Sequence, residues 1–248
     1  MTGPRIDYER YSRQIKLLGE EGQRKLRETT VLLIGVGGLG SYIAYELVAL
    51  GIGKLILVDP QTVELSNLNR QILYATSDVG KPKVEVAKKK LSDLNPDVVI
   101  EAVRKEITPE NIRELVAEAD IVVDGLDNWA TRLIVNDECV RQGKIFVHGG
   151  VREFYGQILT IIPGKGPCLR CIIPQPPREE RLQVISGVVG LVASMEVVEV
   201  IKVATGKGRP AYDRIVVYDG LEQTLSHIKI ARRPDCPACS RYYESQAS

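Results

Sequence analysis

The sequence has almost no net charge and no long apolar run. Its 33 basic and 32 acidic residues leave a formal net charge of +1, so electrostatics offers no case for nucleic acid or an anionic membrane as the main partner. No apolar run approaches the ~20 residues that a membrane-spanning helix needs. Residues 1–13 are polar and charged, unlike a signal peptide. We therefore expect a cytoplasmic protein with no membrane partner.

Cysteine is scarce, and four of the five residues form two C-x-x-C pairs: Cys168 with Cys171, and Cys236 with Cys239. In a reducing compartment such cysteines favour metal binding or a reactive thiol over disulfides. Two such pairs complete a tetrahedral structural Zn²⁺ site, which has no open position for catalysis. A redox dithiol or a disulfide is the alternative. Cys139 lies in a helical pattern and is interpreted as a buried thiol rather than a nucleophile.

The chain of 248 residues can bury a full core. As far as residue 147 it alternates apolar strand patterns with helical patterns, which predicts a parallel sheet with right-handed crossovers. From His148 onward, longer strand patterns at 154–162 and 214–230 predict that the sheet becomes antiparallel. The predicted fold class is α/β: a Rossmann-like, mostly parallel sheet that continues into an antiparallel C-terminal part and carries a Cys₄ zinc site.

A single domain is predicted over residues 1–248. Its expected parts are an N-terminal helical arm at 1–28, a nucleotide-binding part at 29–150, and an antiparallel part at 151–240 with a crossover at about 172–186 and the zinc clip. The arm is predicted to be helical from about Ile6 to Leu26. Thr108 and Pro109 are predicted to begin a helix that reaches about Ala119. The crossover around 174–181 is expected to be exposed and mobile, and the tail after Ser240 to be frayed.

The strongest functional pattern is an apolar strand, Val31–Ile34, that runs into closely spaced glycines: Gly35, Gly37, Gly38 and Gly40. A helical pattern follows and ends at Gly51. Glycines let backbone N–H groups approach an anion, and the helix N-terminus adds partial positive charge. A second apolar strand ends in Asp59, where a ribose-binding carboxylate is expected in such a unit. The pattern predicts a nucleotide site; a merely tight turn is the alternative.

Three charged residues lie on segments predicted to flank the glycine turn: Arg70, Lys83 and Asp127. Solvated surface charge is the default interpretation of Arg70 and Lys83. Their placement favours phosphate contacts instead. Asp127 follows a buried strand, and its two interpretations are an N-cap shared with Asn128 or a Mg²⁺ ligand. Asp124, His148 and His227 are interpreted as structural.

Several short motifs carry a family likeness, and they occur in a fixed order along the chain: Arg10-Tyr11-Ser12-Arg13-Gln14, the glycine turn, Ser66-Asn67-Leu68-Asn69-Arg70-Gln71, Gly80-Lys81-Pro82-Lys83, Asp124-Gly125-Leu126-Asp127-Asn128 and the two C-x-x-C pairs. On these motifs the chain resembles the ThiF/MoeB/HesA-type adenylyltransferases, which are prokaryotic relatives of the ubiquitin-activating enzymes. The likeness covers about residues 10–239.

The resemblance implies transfer of AMP from ATP to the C-terminal glycine of a ubiquitin-like sulfur carrier of the MoaD/ThiS type with a Gly-Gly tail. Such carriers serve molybdopterin, thiamine or tRNA thiolation pathways. By resemblance, Asp59 binds the ribose hydroxyls, Asn67 lies near the phosphates, and Asp127 holds Mg²⁺. Arg70, Lys83 and the glycine turn neutralise the phosphates. Arg13 would reach the γ-phosphate of a neighbouring subunit's ATP, which implies a homodimer.

One departure from the family concerns cysteine. In the thiamine branch and in eukaryotic relatives, a cysteine on or after the crossover links covalently to the carrier, whereas residues 172–201 contain none and Gln183 stands near its place. We therefore expect adenylate formation without a covalent carrier intermediate on that loop, which favours a molybdopterin-synthase-type activator. The chain ends soon after the second cysteine pair, without a rhodanese domain, so a separate protein is expected to donate sulfur.

Three other functions are consistent with part of the pattern. A nicotinamide-dependent oxidoreductase shares the glycine turn and Asp59, but it has no need of Arg70, Lys83, Asp127 or a Cys₄ clip. A relative that activates a tRNA-borne carboxylate is a second alternative, against which the near-neutral charge speaks. A non-catalytic scaffold is the third, although a catalytically dead subunit need not retain these charged residues.

Overall fold

The computed structural model describes residues 7–177 and 183–240. Eight strands form one sheet in the order β3-β2-β1-β4-β5-β6-β7-β8. The strands are β1 Thr30–Ile34, β2 Lys54–Val58, β3 Val99–Val103, β4 Ile121–Asp124, β5 Ile145–Arg152, β6 Tyr155–Ile161, β7 Arg214–Asp219 and β8 Thr224–Lys229. Strands β1 to β5 pair in parallel. The pairs from β5 to β8 are antiparallel, so the predicted change of direction is confirmed.

Helices cover both faces of the sheet. They are α1 Ser12–Glu28, α2 Gly38–Leu50, α3 Lys83–Leu94, α4 Ile112–Glu118, α5 Trp129–Gln142, α6 Leu169–Ile172 and α7 Ser186–Thr205, and single 3₁₀ turns lie at Leu65–Asn67 and Thr76–Asp78. Side chains of α2, α3 and α7 form one apolar core with one face of β1 and β2. Side chains of α4, α5 and α6 form a second core against the opposite face. None of the helices in the described ranges is long and apolar enough to cross a membrane.

The topology places the carboxyl ends of β1 and β4 side by side. The chain runs from β1 outward through β2 to β3 and then returns to β4 on the other side of β1. This reversal is a switch point, and in open α/β sheets ligands bind in the crevice at that edge. The glycine turn follows β1 and the Asp124–Asn128 segment follows β4, so both candidate segments lie at the crevice.

Two predicted helix starts are wrong. The N-terminal helix begins at Ser12, not near Ile6, which lies outside the described residues, and Gly19 interrupts it with φ 76° and ψ 166°. The helix expected from Thr108 begins at Ile112, because the Asn111 side-chain oxygen accepts a hydrogen bond from Thr108 N and holds this segment in a turn. The expected end at Gly51 is confirmed: this glycine adopts the left-handed conformation at the C-terminus of α2. Gly143 ends α5 in the same conformation.

The predicted crossover lies partly within the described residues, and the predicted frayed tail lies outside them. Residues 174–177 are exposed. Residues 178–182 and the segment after Ser240 lie outside the described residues.

Candidate active site

The glycine turn is built by close backbone packing. Gly35 has φ 89°, and a Cβ placed on it would lie 2.5 Å from the carbonyl oxygen of Gly125. A Cβ on Gly40 would lie 1.9 Å from the carbonyl oxygen of Gly35. These glycines are therefore needed to bring the turn, the first turn of α2 and the β4 end together.

The same turn presents an open helix start. Gly37 precedes α2, no side chain caps the first N–H groups of that helix, and a Cβ on Gly37 would meet only Gln71, at 3.6 Å. A Cβ on Gly38 would lie 4.0 Å from Arg70 Cδ, so the arginine side chain crosses the beginning of α2. Uncapped N–H groups and an adjacent guanidinium suit an anion such as a phosphate.

Asp59 connects the glycine turn to the loop that follows β2. It is 5% exposed, and its two oxygens accept hydrogen bonds from Val36 N and Gln61 N, each at 2.8 Å. Tyr74 reinforces the turn by donating its hydroxyl proton to the carbonyl oxygen of Val36 at 2.8 Å. Each carboxylate oxygen of Asp59 keeps a lone pair that suits a ribose hydroxyl.

The loop after Asp59 arranges Asn67 and Arg70. The Asn67 side-chain oxygen accepts a hydrogen bond from Glu64 N at 3.0 Å inside the 3₁₀ turn, and the residue is buried. Arg70 donates to the carbonyl oxygen of Ser66 at 3.0 Å and to Asn69 Oδ1 at 3.1 Å. These contacts hold the arginine beside the crevice.

Lys83 is the first residue of α3 and is 2% exposed. Its Nζ donates a hydrogen bond to Gln61 Oε1 at 2.6 Å. Burial lowers the pKa of the ammonium group below its ordinary value, although Asp59, Asp127 and Glu64 act in the opposite direction. Asp59, Arg70 and Asp127 thus all act electrostatically on Lys83. The fold brings together these charged residues, which the sequence places on separate segments.

Asp127 is exposed in the turn after β4, and Asn128 caps α5 by accepting a hydrogen bond from Thr131 N at 2.8 Å. The cap therefore belongs to Asn128, and the Asp127 carboxylate accepts no hydrogen bond from the described residues. A free carboxylate beside a buried cation is an oxygen ligand of the kind that Mg²⁺ takes next to nucleotide phosphates.

Sequence reasoning missed the buried network behind this turn. Asp124 is fully buried; one of its oxygens accepts hydrogen bonds from Arg132 Nε at 2.5 Å and His148 Nδ1 at 2.6 Å. Burial acts to raise the pKa of Asp124, but Arg132 and His148 outweigh it and hold that pKa below its ordinary range. Arg132 also donates to the carbonyl oxygen of Leu126 at 2.7 Å. Asp124 and His148 are buried and bonded to each other, which agrees with their interpretation as structural residues, and Arg132 bonds the turn that carries Asp127.

Arg13 does not reach the other candidate residues within its own chain. The start of α1 is fastened to the far ends of the neighbouring helices: Gln14 donates to Leu50 O at 2.8 Å, and Arg10 donates to Leu94 O at 3.0 Å. Lys83 lies at the opposite end of α3, whose 12 residues span about 18 Å. Arg13 itself is exposed.

The four paired cysteines form one buried cluster whose sulfur atoms all lie within 4.8 Å of one another. Cys168 and Cys236 sulfurs are 3.6 Å apart, and those of Cys171 and Cys239 are 3.5 Å apart. A tetrahedral site with Zn–S bonds of about 2.3 Å has sulfur–sulfur edges of about 3.8 Å, so the donor set fits zinc. Cys139 is buried elsewhere, and burial raises the pKa of its thiol well above the ordinary range, as expected of an inert thiol.

Relatives that match most of this chain are named as adenylyltransferases or as an activating enzyme. A sulfur carrier protein adenylyltransferase of Thermus thermophilus is 40% identical over 96% of this chain and 93% of the relative. A ThiS adenylyltransferase of Escherichia coli is 37% identical over 94% of this chain and 95% of the relative. A SAMP-activating enzyme E1 of Haloferax volcanii is 38% identical over 93% of this chain and 88% of the relative.

A solved structure of E. coli MccB with ATP has a TM-score of 0.83 and 27% identity, covering 93% of this chain and 74% of MccB. The fold, the crevice and these relatives define the class: the chain is an ATP-dependent adenylyltransferase of the superfamily that includes the ubiquitin-activating enzymes. The ThiF family model matches residues 11–238, and the chain belongs to the ThiF family.

Proposed function

We propose that the protein transfers AMP from ATP to the C-terminal glycine carboxylate of a ubiquitin-like sulfur carrier and releases pyrophosphate. The observation that carries the proposal is the gathering of Asp59, Arg70, Lys83 and Asp127 around an uncapped helix start at the switch point. The relatives named for sulfur carriers support the choice of substrate.

The chemistry needs no general base. A terminal carboxylate has a pKa of about 3.5, so it is ionised and nucleophilic at neutral pH. The enzyme's task is to align it with the α-phosphorus and to neutralise the charge that builds up there. In this proposal the N–H groups at the start of α2, Arg70 and Lys83 perform that role, and Asp59 and Asn67 hold the ribose and phosphate side of the nucleotide.

Asp127 is the residue that would hold Mg²⁺, which neutralises phosphate charge when it is bound. The Cys₄ cluster is the site that would hold Zn²⁺, with a structural role, because its four thiolates leave no open coordination position. We regard residues 7–240 as parts of one adenylation domain, since a single sheet runs through them.

A homodimer completes the site in this proposal. Arg13 lies at the far end of α3 from Lys83 in its own chain, so it can serve a nucleotide only across a subunit interface. Residues 172–201 contain no cysteine, so in this proposal the adenylated carrier leaves without a covalent step on that segment. We also propose that a separate protein donates the sulfur.

The test is ATP–pyrophosphate exchange with candidate Gly-Gly-tailed carriers from the source organism. Exchange that requires one carrier supports the proposal, and Asp127→Ala is expected to lower it at least a hundredfold while the protein stays folded. Thermal protection by NAD instead of Mg-ATP, with no exchange for any carrier, would contradict it.

A further inference from the structure

Gln61 links two of the charged residues of the nucleotide site, Asp59 and Lys83, through three hydrogen bonds. Its backbone N–H donates to Asp59 Oδ1 at 2.8 Å, and its backbone carbonyl accepts from Lys83 N at 3.0 Å. Its side-chain oxygen accepts from Lys83 Nζ at 2.6 Å. Within residues 7–177 and 183–240, no other group accepts a hydrogen bond from that ammonium nitrogen. The direction of the Lys83 side chain is therefore set by Gln61.

The partner of this buried cation is neutral. Asp59, Glu64 and Asp127 act electrostatically on Lys83 from the surrounding segments, and Arg70 opposes them. None of these carboxylates forms an ion pair with Nζ in the described structure. An amide oxygen orients the ammonium without cancelling its charge, so an arriving phosphate need not displace a carboxylate.

We propose that Gln61 is a positioning residue for adenylylation: its Oε1 holds the Lys83 ammonium aimed at the nucleotide phosphates. The inference rests on the proposed function, since it gives Lys83 a phosphate to meet. Gln61 acts through Lys83 alone, because its contact with Asp59 is made by the backbone and survives side-chain replacement. The Gln61 side chain therefore affects the affinity for ATP and has no effect on the affinity for adenosine.

A double-mutant cycle tests this action. Mg-ATP affinity is measured by calorimetry for the wild type, Gln61→Met, Lys83→Met and the double variant, and adenosine is measured alongside. Losing the bond to a buried charged group is expected to weaken Mg-ATP binding about tenfold in Gln61→Met. In the Lys83→Met background the same replacement is expected to change nothing, and adenosine affinity stays at the wild-type value throughout.

Gln142→Met is the matched control, because Gln142 also uses its side-chain amide, which donates to Arg113 O at 2.9 Å at the far end of α5. It should leave Mg-ATP affinity unchanged. Gln61→Ala repeats the test without added apolar surface, and Gln61 is exposed enough to tolerate truncation.

The possible failures are distinguishable. Equal losses from Gln61→Met in both backgrounds, an unchanged affinity, or a loss for adenosine would overturn the role assigned to Gln61 while leaving the proposed function intact. A wild-type protein that binds no Mg-ATP would overturn the proposed function and this inference together.

Discussion

Asp124 and Asp127 lie three residues apart and have opposite surroundings. Asp124 is fully buried and bonded to Arg132 and His148. Asp127 is exposed, and Asn128 takes over the helix cap. One short segment thus holds a buried, bonded carboxylate and an exposed carboxylate to which we assign the Mg²⁺ ligand role in our proposal. The division follows from position: Asp124 ends β4 and is buried against Arg132 of α5 and His148 of β5, whereas Asp127 lies in the exposed turn that follows.

Glu196 on α7 is a buried acid with no role in the proposed reaction. It is fully buried, neither carboxyl oxygen has a hydrogen-bond partner, and a Cβ on Gly149 would lie 2.2 Å from Oε2. Burial, and secondarily Asp124, raises its pKa well above the ordinary value, against the opposing effect of Arg132. The folded protein therefore holds a proton on Glu196 that the unfolded chain releases at lower pH.

This proton makes stability depend on pH. The contribution is fully present below the unfolded pKa and is lost as pH rises through the folded pKa. Glu196→Gln removes this contribution to the pH dependence. Between pH 4 and pH 8 the wild type is therefore expected to lose more free energy of unfolding than the variant, by about 1.4 kcal/mol for each unit by which folding raises the pKa of Glu196. Urea unfolding at the two pH values measures it.

The control is Glu199→Gln, which replaces a buried carboxylate bonded to Lys202 Nζ at 2.6 Å and Ala211 N at 2.7 Å. This variant is expected to be less stable than the wild type at pH 8, because it removes a bonded charge. A constant difference between Glu196→Gln and the wild type across the pH range would contradict the assignment.

At the scale of elements, the glycine turn contains glycines of two kinds. Gly35 and Gly40 are packed against backbone, whereas a Cβ on Gly37 would make only an ordinary contact with the Gln71 side chain, at 3.6 Å. Gly35→Ala is expected to destabilise the protein by about 3 kcal/mol or more, because φ 89° and the Gly125 carbonyl oxygen both oppose a side chain. Gly37→Ala is expected to keep the stability within about 1 kcal/mol and to weaken Mg-ATP binding at least tenfold.

Thermal unfolding and calorimetric titration of the two variants separate these effects. Equal loss of stability in both would mean that the turn is purely structural. Normal ATP affinity in Gly37→Ala would place the phosphates elsewhere.

Elements with local signals could be predicted from the sequence. The glycine spacing, the acid after β2 and the two C-x-x-C pairs depend on neighbours in the chain, and the structure contains the turn and the cysteine cluster as predicted. The start of α4 was misplaced because residues 109–111 form a turn before the helix begins, and the hydrogen bond from Thr108 N to the Asn111 side-chain oxygen closes that turn. Arg132, Glu196 and Gln61 were missed because their partners come from distant segments.

At the scale of the whole molecule, the Cys₄ cluster fastens the C-terminal segment to the core beside α6. Metal removal is expected to lower the Tm by about 10 °C or more, because four thiolates would be left without their shared partner. Elemental analysis should find one zinc per chain, and Cys236→Ser should lose it. A metal-free protein with an unchanged Tm would argue for a different role of the cluster.

In the proposed homodimer, the active unit is larger than one chain because Arg13 lies far from the crevice of its own subunit. Residues at the start of the Arg13 helix are bonded to the ends of α2 and α3 that lie away from the glycine turn and Lys83.

Arg13→Ala and Asp127→Ala are each expected to be inactive alone. If the arginine serves the partner's site, random reassortment of a 1:1 mixture gives one intact site in half of the dimers, so about a quarter of wild-type exchange activity should return. Co-purification of differently tagged chains shows that the dimers have reassorted. If the mixture is then no more active than the mean of the two variants, Arg13 does not act across the interface.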